Sequence, residues 1–286
     1  MRRFLQVLTL ALAPVGASAC TASLSLDRFT KDDAPLTTDT STIKYFDVQF
    51  NAKNMQSHIA EYFEIRVVDK DNAVQMKAVY SNVTKPDFSL YMSRIVPKTK
   101  APYRLDFWAD HNNSLKYDGI VGGINDKDHA WRRVLADPLP EDVRLAGKLY
   151  TVDFIHDTAF VDIATDLLGN PISTDDVLLP LNLKIVGAGA YVGKMMEVRV
   201  VDAGAGRLLA LHREGSASDT YTARVLGVID DTSPYEVSVY VDVNGDEKFN
   251  AGEPSWKLNL TSDKNGLVSE LNVSTTPQTP IDTGQP

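Results

Sequence analysis

The sequence predicts an all-β protein built from two tandem antiparallel β-sandwich domains. Three observations support this fold class. One block of sequence recurs along the chain, each copy holds about seven short strand-like segments, and few stretches show the periodicity of a helix. Each copy is about the size of one domain, so the 286 residues accommodate two domains and short connecting segments.

An internal repeat sets the number of domains. Three segments match in the same order, with separations of 133, 132 and 125 residues. The fall from 132 to 125 means that the first copy carries seven extra residues between Asn112 and Trp131. The matched pairs are Phe63–Asp69 with Met196–Asp202, Tyr103–Asn112 with Tyr235–Asn244, and Trp131 with Trp256. Matches in a fixed order indicate a duplicated domain rather than chance similarity.

The segments within each copy are predicted to be strands because they are short, rich in β-branched and aromatic residues, and separated by turn residues. In the first copy the predicted strands are 45–50, 63–68, 74–79, 88–92, 103–109, 131–135 and 150–155. In the second copy they are 179–186, 196–201, 208–212, 221–226, 235–241, 256–260 and 267–273. Seven strands with this spacing are typical of an immunoglobulin-like (Ig-like) sandwich.

The repeat and the composition together place the boundaries. The prediction is a signal peptide over 1–19, a tether over 20–42, the first sandwich over 43–167, a linker over 168–176, the second sandwich over 177–274 and a disordered tail over 275–286. The tether and the tail are assigned because they are rich in Thr, Ser, Asp and Pro and hold few large apolar residues.

The first twenty residues have the layout of a secretory signal peptide: basic Met1–Arg3, an apolar run over Phe4–Ala13, and small residues before Cys20. This arrangement resembles the lipobox of bacterial lipoproteins, although Ala17 stands where that family prefers Leu. The resemblance implies cleavage before Cys20 and attachment of a lipid to that residue. Because Thr21 follows, it also implies the outer membrane of a Gram-negative cell. Ordinary cleavage, which leaves a secreted protein, is the alternative.

The charge and the cysteine content limit the binding partners and the stabilising interactions that are open to the chain. The formal net charge is −9 and the sequence pI is about 5.0, which disfavours nucleic acid and anionic lipid surfaces and favours cations. Cys20 is the single cysteine, so the chain cannot form an internal disulfide. Its stability must therefore come from core burial, with metal ions as a further source.

One segment, which follows the predicted strand 235–241, has the composition of a cation site. Counted from Asp242, oxygen-bearing side chains occupy positions 1, 3, 5, 9 and 12, which is the ligand order of an EF-hand calcium loop. The flanking strands and Glu247 at position 6 exclude an EF-hand domain. The segment resembles the Asp-x-Asn-x-Asp…Gly-Glu loops of secreted bacterial Ig-like repeat and dockerin modules. The predicted ligands are Asp242, Asn244, Asp246, the backbone carbonyl of Lys248, Asn250 and Glu253. A solvated Asn-Gly turn is the alternative.

The first copy repeats this pattern after its strand 103–109. Its candidate calcium ligands are Asp110, Asn112, Ser114, Asp118 and, once the two tryptophans are aligned, Asp128. Ser114 replaces an Asp of the second copy, so calcium is expected to bind more weakly here.

Four of the five histidines lie in the first copy: His58, His111, His129 and His156. Their first three counterparts in the second copy are Tyr191, Val243 and Pro254. No pair has the close spacing of a well-defined metal motif, so the simplest interpretation is surface or turn histidines. A copper or zinc site is the alternative, and it requires His58, His111 and His129 to converge.

The sequence predicts a protein that is not an enzyme. It contains no G-x-S-x-G, H-E-x-x-H or C-x-x-C motif. The leading function is a calcium-stabilised binding or scaffolding module of the cell envelope with a protein or glycan partner. Accessory carbohydrate binding and transition-metal binding are the alternatives. The candidate sugar-stacking rings are Tyr103, Trp108, Trp131, Tyr240 and Trp256.

Overall fold

The computed structural model describes residues 45–97, 102–120, 127–135 and 149–284. The predicted signal peptide, the predicted tether and Cys20 lie outside the described residues. Regular structure in the described residues consists of fourteen strands and two short 3₁₀ turns, so the chain is all-β as predicted. No helix among these residues is long and apolar enough to cross a membrane.

The strands divide evenly into a first and a second half of the chain. The first half contains β1 (Tyr45–Lys53), β2 (Phe63–Val68), β3 (Val74–Tyr80), β4 (Phe88–Pro97), β5 (Arg104–Ala109), β6 (His129–Val134) and β7 (Leu149–Ile155). The second half contains β8 (Leu179–Val186), β9 (Met195–Asp202), β10 (Leu208–Glu214), β11 (Tyr221–Ile229), β12 (Pro234–Asp242), β13 (Ser255–Thr261) and β14 (Leu267–Asn272). The 3₁₀ turns are Gln56–His58, after β1, and Gly189–Tyr191, after β8.

The strands form three sheets, and one of them runs through both halves. A three-stranded sheet in the order β4-β1-β7 belongs to the first half, and one in the order β11-β8-β14 belongs to the second. The eight-stranded sheet has the order β13-β12-β9-β10-β3-β2-β5-β6. The sequence predicts two separate sandwiches, but the halves are joined edge to edge through β10 and β3.

The prediction of purely antiparallel sheets is wrong for three strand pairs. Strand β1 pairs with β7 in parallel, and β8 pairs with β14 in the same way, so the first and last strands of each half lie side by side. The junction between β10 and β3 is also parallel, with Ala210 opposite Lys77. These pairings bring together strands that are distant in sequence, where no hairpin turn fixes the direction.

The two three-stranded sheets cover opposite faces of the eight-stranded sheet. On β3, Met76, Ala78 and Tyr80 belong to the core of the first half, whereas Val79 belongs to the core of the second. On β10, Leu211 belongs to the first core and Ala210 to the second. Since neighbouring side chains on a strand point to opposite faces, each half contributes side chains to the core of the other.

The segment that was predicted to be a disordered tail is anchored as far as Gly284. The carbonyl of Thr283 accepts a hydrogen bond from Arg199 Nη1 at 3.2 Å, and the carbonyl of Gly284 lies 2.6 Å from Tyr91 Oη. The indole of Trp256 donates to the carbonyl of Thr276 at 3.0 Å. Polar residues are enough to hold this segment in place, because its carbonyl groups accept hydrogen bonds from buried donors of both halves. Water would supply those hydrogen bonds to a free tail.

Candidate metal centres

The loop after β12 is organised around the carboxylate of Asp242. Its Oδ1 accepts a hydrogen bond from the amide of Gly245 at 2.6 Å, and its Oδ2 accepts one from the amide of Glu247 at 2.8 Å. Glu247 adopts a left-handed backbone conformation with φ of 65°. This is the conformation for which an EF-hand uses glycine at the same position, so the departure at position 6 leaves the turn intact.

The other predicted ligands of this second loop also converge on it. Asp246 Oδ1 accepts from the amide of Lys248 at 2.9 Å, and Asp246 Oδ2 accepts from the side-chain amide of Asn250 at 2.9 Å. Both oxygens of Glu253 accept backbone hydrogen bonds, from Val243 at 3.0 Å and from Asn250 at 2.9 Å. Lys248, at position 7, is held in the loop by its amide, which donates to Asp246. The loop thus brings four oxygen-bearing side chains together: Asn244, Asp246, Asn250 and Glu253.

The loop after β5 shares most of this hydrogen-bond frame, although Asp110 Oδ1 binds the amide at position 5 and Asp242 Oδ1 binds the amide at position 4. Asp110 Oδ1 accepts from the amide of Ser114 at 3.0 Å and Oδ2 accepts from the amide of Leu115 at 2.7 Å. Leu115, at position 6, has φ of 57°, like Glu247 in the second loop. Asn112 Oδ1 accepts from the amide of Ser114 at 3.1 Å and its Nδ2 donates to Asp118 Oδ2 at 2.9 Å.

Asp128 occupies the place of Glu253 in this first loop. Its Oδ2 accepts from the amide of Asp118 at 2.9 Å, as Glu253 accepts from Asn250. Asp128 is 1% exposed, and its Oδ1 has no hydrogen-bond partner among the described residues. Burial, together with the nearby charges of Asp118 and Asp110, raises the pKa of Asp128 to about 7. The first loop therefore holds a buried carboxylate whose surroundings disfavour its charged form.

Glu247 of the second loop contacts the first half of the molecule, which the sequence did not indicate. Its carboxylate points away from Asp242 toward the first half, where Oε2 accepts from the amide of Ser89 at 3.1 Å. Lys85 Nζ lies 3.0 Å from Glu247 Oε1 and also donates to the carbonyl of Gly245 at 3.1 Å. The second loop is therefore fastened to the other half of the molecule.

A second candidate centre is built from the four histidines of the first half. They come from separate elements: His58 ends the 3₁₀ turn after β1, His111 follows β5, His129 begins β6 and His156 follows β7. One ligand nitrogen from each of His58, His111 and His129 lies within 4.8 Å of the others. His156 Nε2 lies 3.1 Å from His58 Nε2.

The expectation that these histidines lie at the surface is wrong for two of the four. His58 is completely buried and His129 is 8% exposed. The rings of His111 and His129 stack at a centroid distance of 4.7 Å, and Phe160 stacks on the other side of His129 at 4.2 Å. Sequence spacing could not reveal this cluster, because each ring arrives from a different part of the fold.

Glu61 is the residue of this centre that the sequence analysis missed. Its Oε2 lies 2.7 Å from His58 Nδ1 and its Oε1 lies 2.9 Å from His111 Nδ1. Burial raises the pKa of Glu61, but the hydrogen bonds from His58 and His111 outweigh it and hold the pKa below its usual value. Burial, with the nearby rings of His58 and His129, lowers the pKa of His156.

The aromatic rings proposed for sugar stacking do not form a surface. All five are buried, with exposed fractions from 0% to 3%: Tyr103, Trp108, Trp131, Tyr240 and Trp256. Trp131 and Trp256 each belong to a hydrophobic core, and the indole of Trp131 donates to the carbonyl of Asp157 at 3.1 Å. A platform for sugars needs exposed ring faces, so these residues do not support carbohydrate binding.

Comparison with known proteins does not indicate a function for this chain, so a functional proposal has to rest on the two candidate metal centres. No family model and no curated protein matches the chain. Among solved structures, a streptococcal ancillary pilin is 13% identical over 84% of this chain, with a TM-score of 0.17. The match covers 64% of that pilin's length. Similarity at this level carries no argument about the function of this chain.

Proposed function

We propose that this chain is a non-catalytic binding and scaffolding module of the bacterial cell envelope. In this proposal two Ig-like sandwiches each present a calcium-binding loop, and a lipid on Cys20 tethers them to the outer membrane. The observation that carries the proposal is the set of hydrogen bonds that the loops after β5 and β12 share.

The shared frame favours calcium over an ordinary turn. In both loops the carboxylate at position 1 accepts from the amide at position 6, at 2.7 Å for Asp110 and 2.8 Å for Asp242. In both, the last acidic residue accepts from the amide at position 9, at 2.9 Å. These two contacts draw the first and last acidic residues of the loop toward its centre, as a calcium site with six to eight oxygen ligands requires.

The electrostatics of the first loop supply a second argument. Asp110 is fully buried and Asp128 is 1% exposed, so two carboxylates lose most of their hydration close to one another. Such a pair is unfavourable without a partner of opposite charge. Calcium supplies two positive charges and accepts carboxylate, carbonyl and amide oxygens, which are the donors that the loop provides.

The scaffold role follows from where the loops are placed. Each loop directly follows a strand, β5 or β12, that has a neighbour on both sides in the shared sheet, so an ion bound there would rigidify a loop that is already anchored at its start. Extracellular sites of this kind bind calcium at roughly 0.1–1 mM, so millimolar calcium contributes about 1 kcal/mol per site. Calcium would then hold a contact surface in one conformation rather than take part in chemistry.

Thermal unfolding with and without calcium tests this function. We expect calcium to raise the melting temperature by a few degrees, since 1 kcal/mol shifts it by roughly 2–4 °C in a protein of this size. The informative variant is Asp128→Asn, which keeps an oxygen for the Asp118 amide and removes the charge. It should melt higher than the parent in chelator and gain less from calcium.

The matched control is Asp231→Asn, which removes the charge of an exposed carboxylate outside both loops. It should leave the melting temperature and the calcium response unchanged. Calorimetric titration should find two calcium ions in the parent and one in Asp128→Asn. An equal calcium gain in the parent and Asp128→Asn would show that the first loop is an ordinary turn.

A further inference from the structure

We propose that His58, His111, His129 and His156 bind one divalent transition-metal ion of the zinc or copper type. Glu61 orients two of the four rings. His111 and His129 directly follow the proposed calcium ligands Asp110 and Asp128 in sequence, but the histidine site uses nitrogen donors and does not depend on the function proposed for the loops.

The hydrogen bonds of Glu61 set the direction of the donor nitrogens. A carboxylate only accepts, so the proton of each ring that contacts Glu61 lies on Nδ1, in His58 and in His111. The lone pair of each ring is therefore on Nε2, on the side away from Glu61. Metal-binding histidines in proteins are held in this way, with the second ring nitrogen donating to a carboxylate.

The spacing of the rings suits a single ion. In a tetrahedral zinc site with Zn–N of about 2.0–2.1 Å, the ligand nitrogens lie roughly 3.3 Å apart. The Nε2 atoms of His58 and His156 are 3.1 Å apart, close to that separation. The nitrogens of His58, His111 and His129 lie within 4.8 Å of one another, so rotation of the more exposed rings closes the set.

The surroundings enclose the site on one side and open it on the other. Trp131 packs against the rings of His58 and His156 at 5.6 Å in each case, and Phe160 covers His129. His111 keeps 31% of its side chain exposed, which leaves a route for an ion to enter. A buried back wall with one accessible edge restrains the ligands and limits the access of water.

The second half of the molecule serves as an internal comparison, because it holds the same elements without the cluster. Matching 3₁₀ turns align His58 with Tyr191, and the strands that follow them align Glu61 with Lys194. The amide of His156 donates to the carbonyl of Lys53, and the amide of Val273 donates to that of Val186, which aligns His156 with Val273. His111 and His129 correspond to Val243 and Pro254.

All five positions of the cluster thus lack a metal ligand in the second half, and a lysine takes the place of the orienting carboxylate. A fold that needed polar residues at these positions for its own stability would keep them in both copies. The difference at all five positions is the pattern expected when one copy holds a metal centre and the other does not.

The donor chemistry selects the class of ion. Imidazole nitrogen suits zinc, copper and nickel, whereas calcium and magnesium require oxygen. Four nitrogens therefore indicate a borderline transition metal rather than a second calcium site. The stability order of divalent ions places copper above zinc in a site of this type, so both ions serve as probes.

The test is a competition titration of the purified protein with zinc against a chromogenic chelator, with saturating calcium present to fill the acidic loops. We expect one zinc ion per chain with micromolar or tighter affinity. Cobalt in place of zinc should give the visible bands of a nitrogen-ligated ion. In His111→Gln/His156→Gln, which changes the two more exposed rings, tight binding should be lost.

Two further variants keep the result interpretable. Glu61→Gln leaves every ligand in place but can no longer accept from both rings, so zinc affinity should fall about 10–100-fold. Asp242→Asn in the second loop is the control and should retain one zinc ion. Repeating the titration without calcium separates this site from the calcium function, because zinc binding should persist whether or not calcium stabilises the protein.

Two results would overturn the proposal. The first is the absence of zinc and copper binding at micromolar concentration in the parent protein. The second is unchanged zinc affinity in both His111→Gln/His156→Gln and Glu61→Gln, with circular dichroism showing that the variants are folded. Either result would mean that the four histidines form a hydrogen-bonded cluster and not a metal site.

Discussion

Both copies of the repeat contain a Glu-x-Arg segment, and in both the Glu and Arg side chains form a buried ion pair. Glu197 Oε1 lies 2.7 Å from Arg199 Nε, and Glu197 Oε2 lies 2.8 Å from Arg213 Nη2, with all three side chains at most 3% exposed. In the first half, Glu64 and Arg66 pair at 2.6 Å. These charges lie on the face of the eight-stranded sheet that the opposite half covers. The repeat therefore preserves the contact between halves as well as the strands.

Removing one charged partner from this network should lower the stability of the protein. Glu197→Gln removes the carboxylate that pairs with Arg199 and leaves Arg213 only the more distant Glu247, at 3.5 Å. Breaking a buried ion pair costs roughly 3–5 kcal/mol. The control is Glu236→Gln on β12, whose partner Lys257 is 36% exposed. An exposed pair contributes about 0–1 kcal/mol, so the control should stay near the parent. Urea unfolding measures the free energy of unfolding of both variants. An equal decrease in the two variants would contradict a special role for the buried network.

Individual elements were predictable from sequence where the signal is local. The predicted strand 63–68 coincides with β2. The oxygen-bearing residues of the second loop could be grouped from sequence because they lie within twelve consecutive residues. The pairing of β3 with β10 was not predictable, because a parallel junction depends on tertiary packing rather than on a turn. The histidine cluster was hidden for the same reason, since its rings arrive from elements far apart in sequence.

The C-terminal segment is an element without regular structure, and it should contribute to stability. The carbonyl of Thr283 and that of Tyr91 both accept hydrogen bonds from Arg199, at 3.2 and 2.8 Å, and Ser255 exchanges contacts with Thr279. Ending the chain after Ser274 removes the acceptors of Ser255 Oγ and of the Trp256 indole and one of the acceptors of Arg199. The loss is about 1–3 kcal/mol for each buried donor left without a partner. We expect a clear loss of stability in chemical unfolding. A truncated chain as stable as the parent would show that the segment is only loosely associated.

At the scale of the whole molecule, the shared sheet makes the two halves one folding unit. Val79 of the first half lies in the core of the second, and Leu208 and Leu211 of the second half lie in the core of the first. Neither half therefore completes its core alone. The molecule differs in this respect from a tandem array on a flexible linker, in which each domain is stable by itself. A rigid arrangement also fixes the distance between the two acidic loops.

A substitution at the junction should therefore destabilise both halves together. Gly215 follows β10, and a Cβ there would collide with the carbonyl of Asn82 and approach the ring of Tyr80 to 2.7 Å. Gly215→Ala forces the junction apart and should cost about 1–3 kcal/mol by overpacking. Gly204→Ala is the control, since its Cβ would meet only the Asp202 side chain at 3.3 Å.

Hydrogen exchange measures whether that loss is shared. In the parent, the amides of β5 in the first half and β12 in the second should exchange through one global opening, so Gly215→Ala should lower the protection of both strands by the same factor. Gly204→Ala should change neither by a comparable amount. Loss of protection in β12 with β5 unchanged would mean that the halves unfold independently, and the eight-stranded sheet would then be a contact between two domains rather than a shared core.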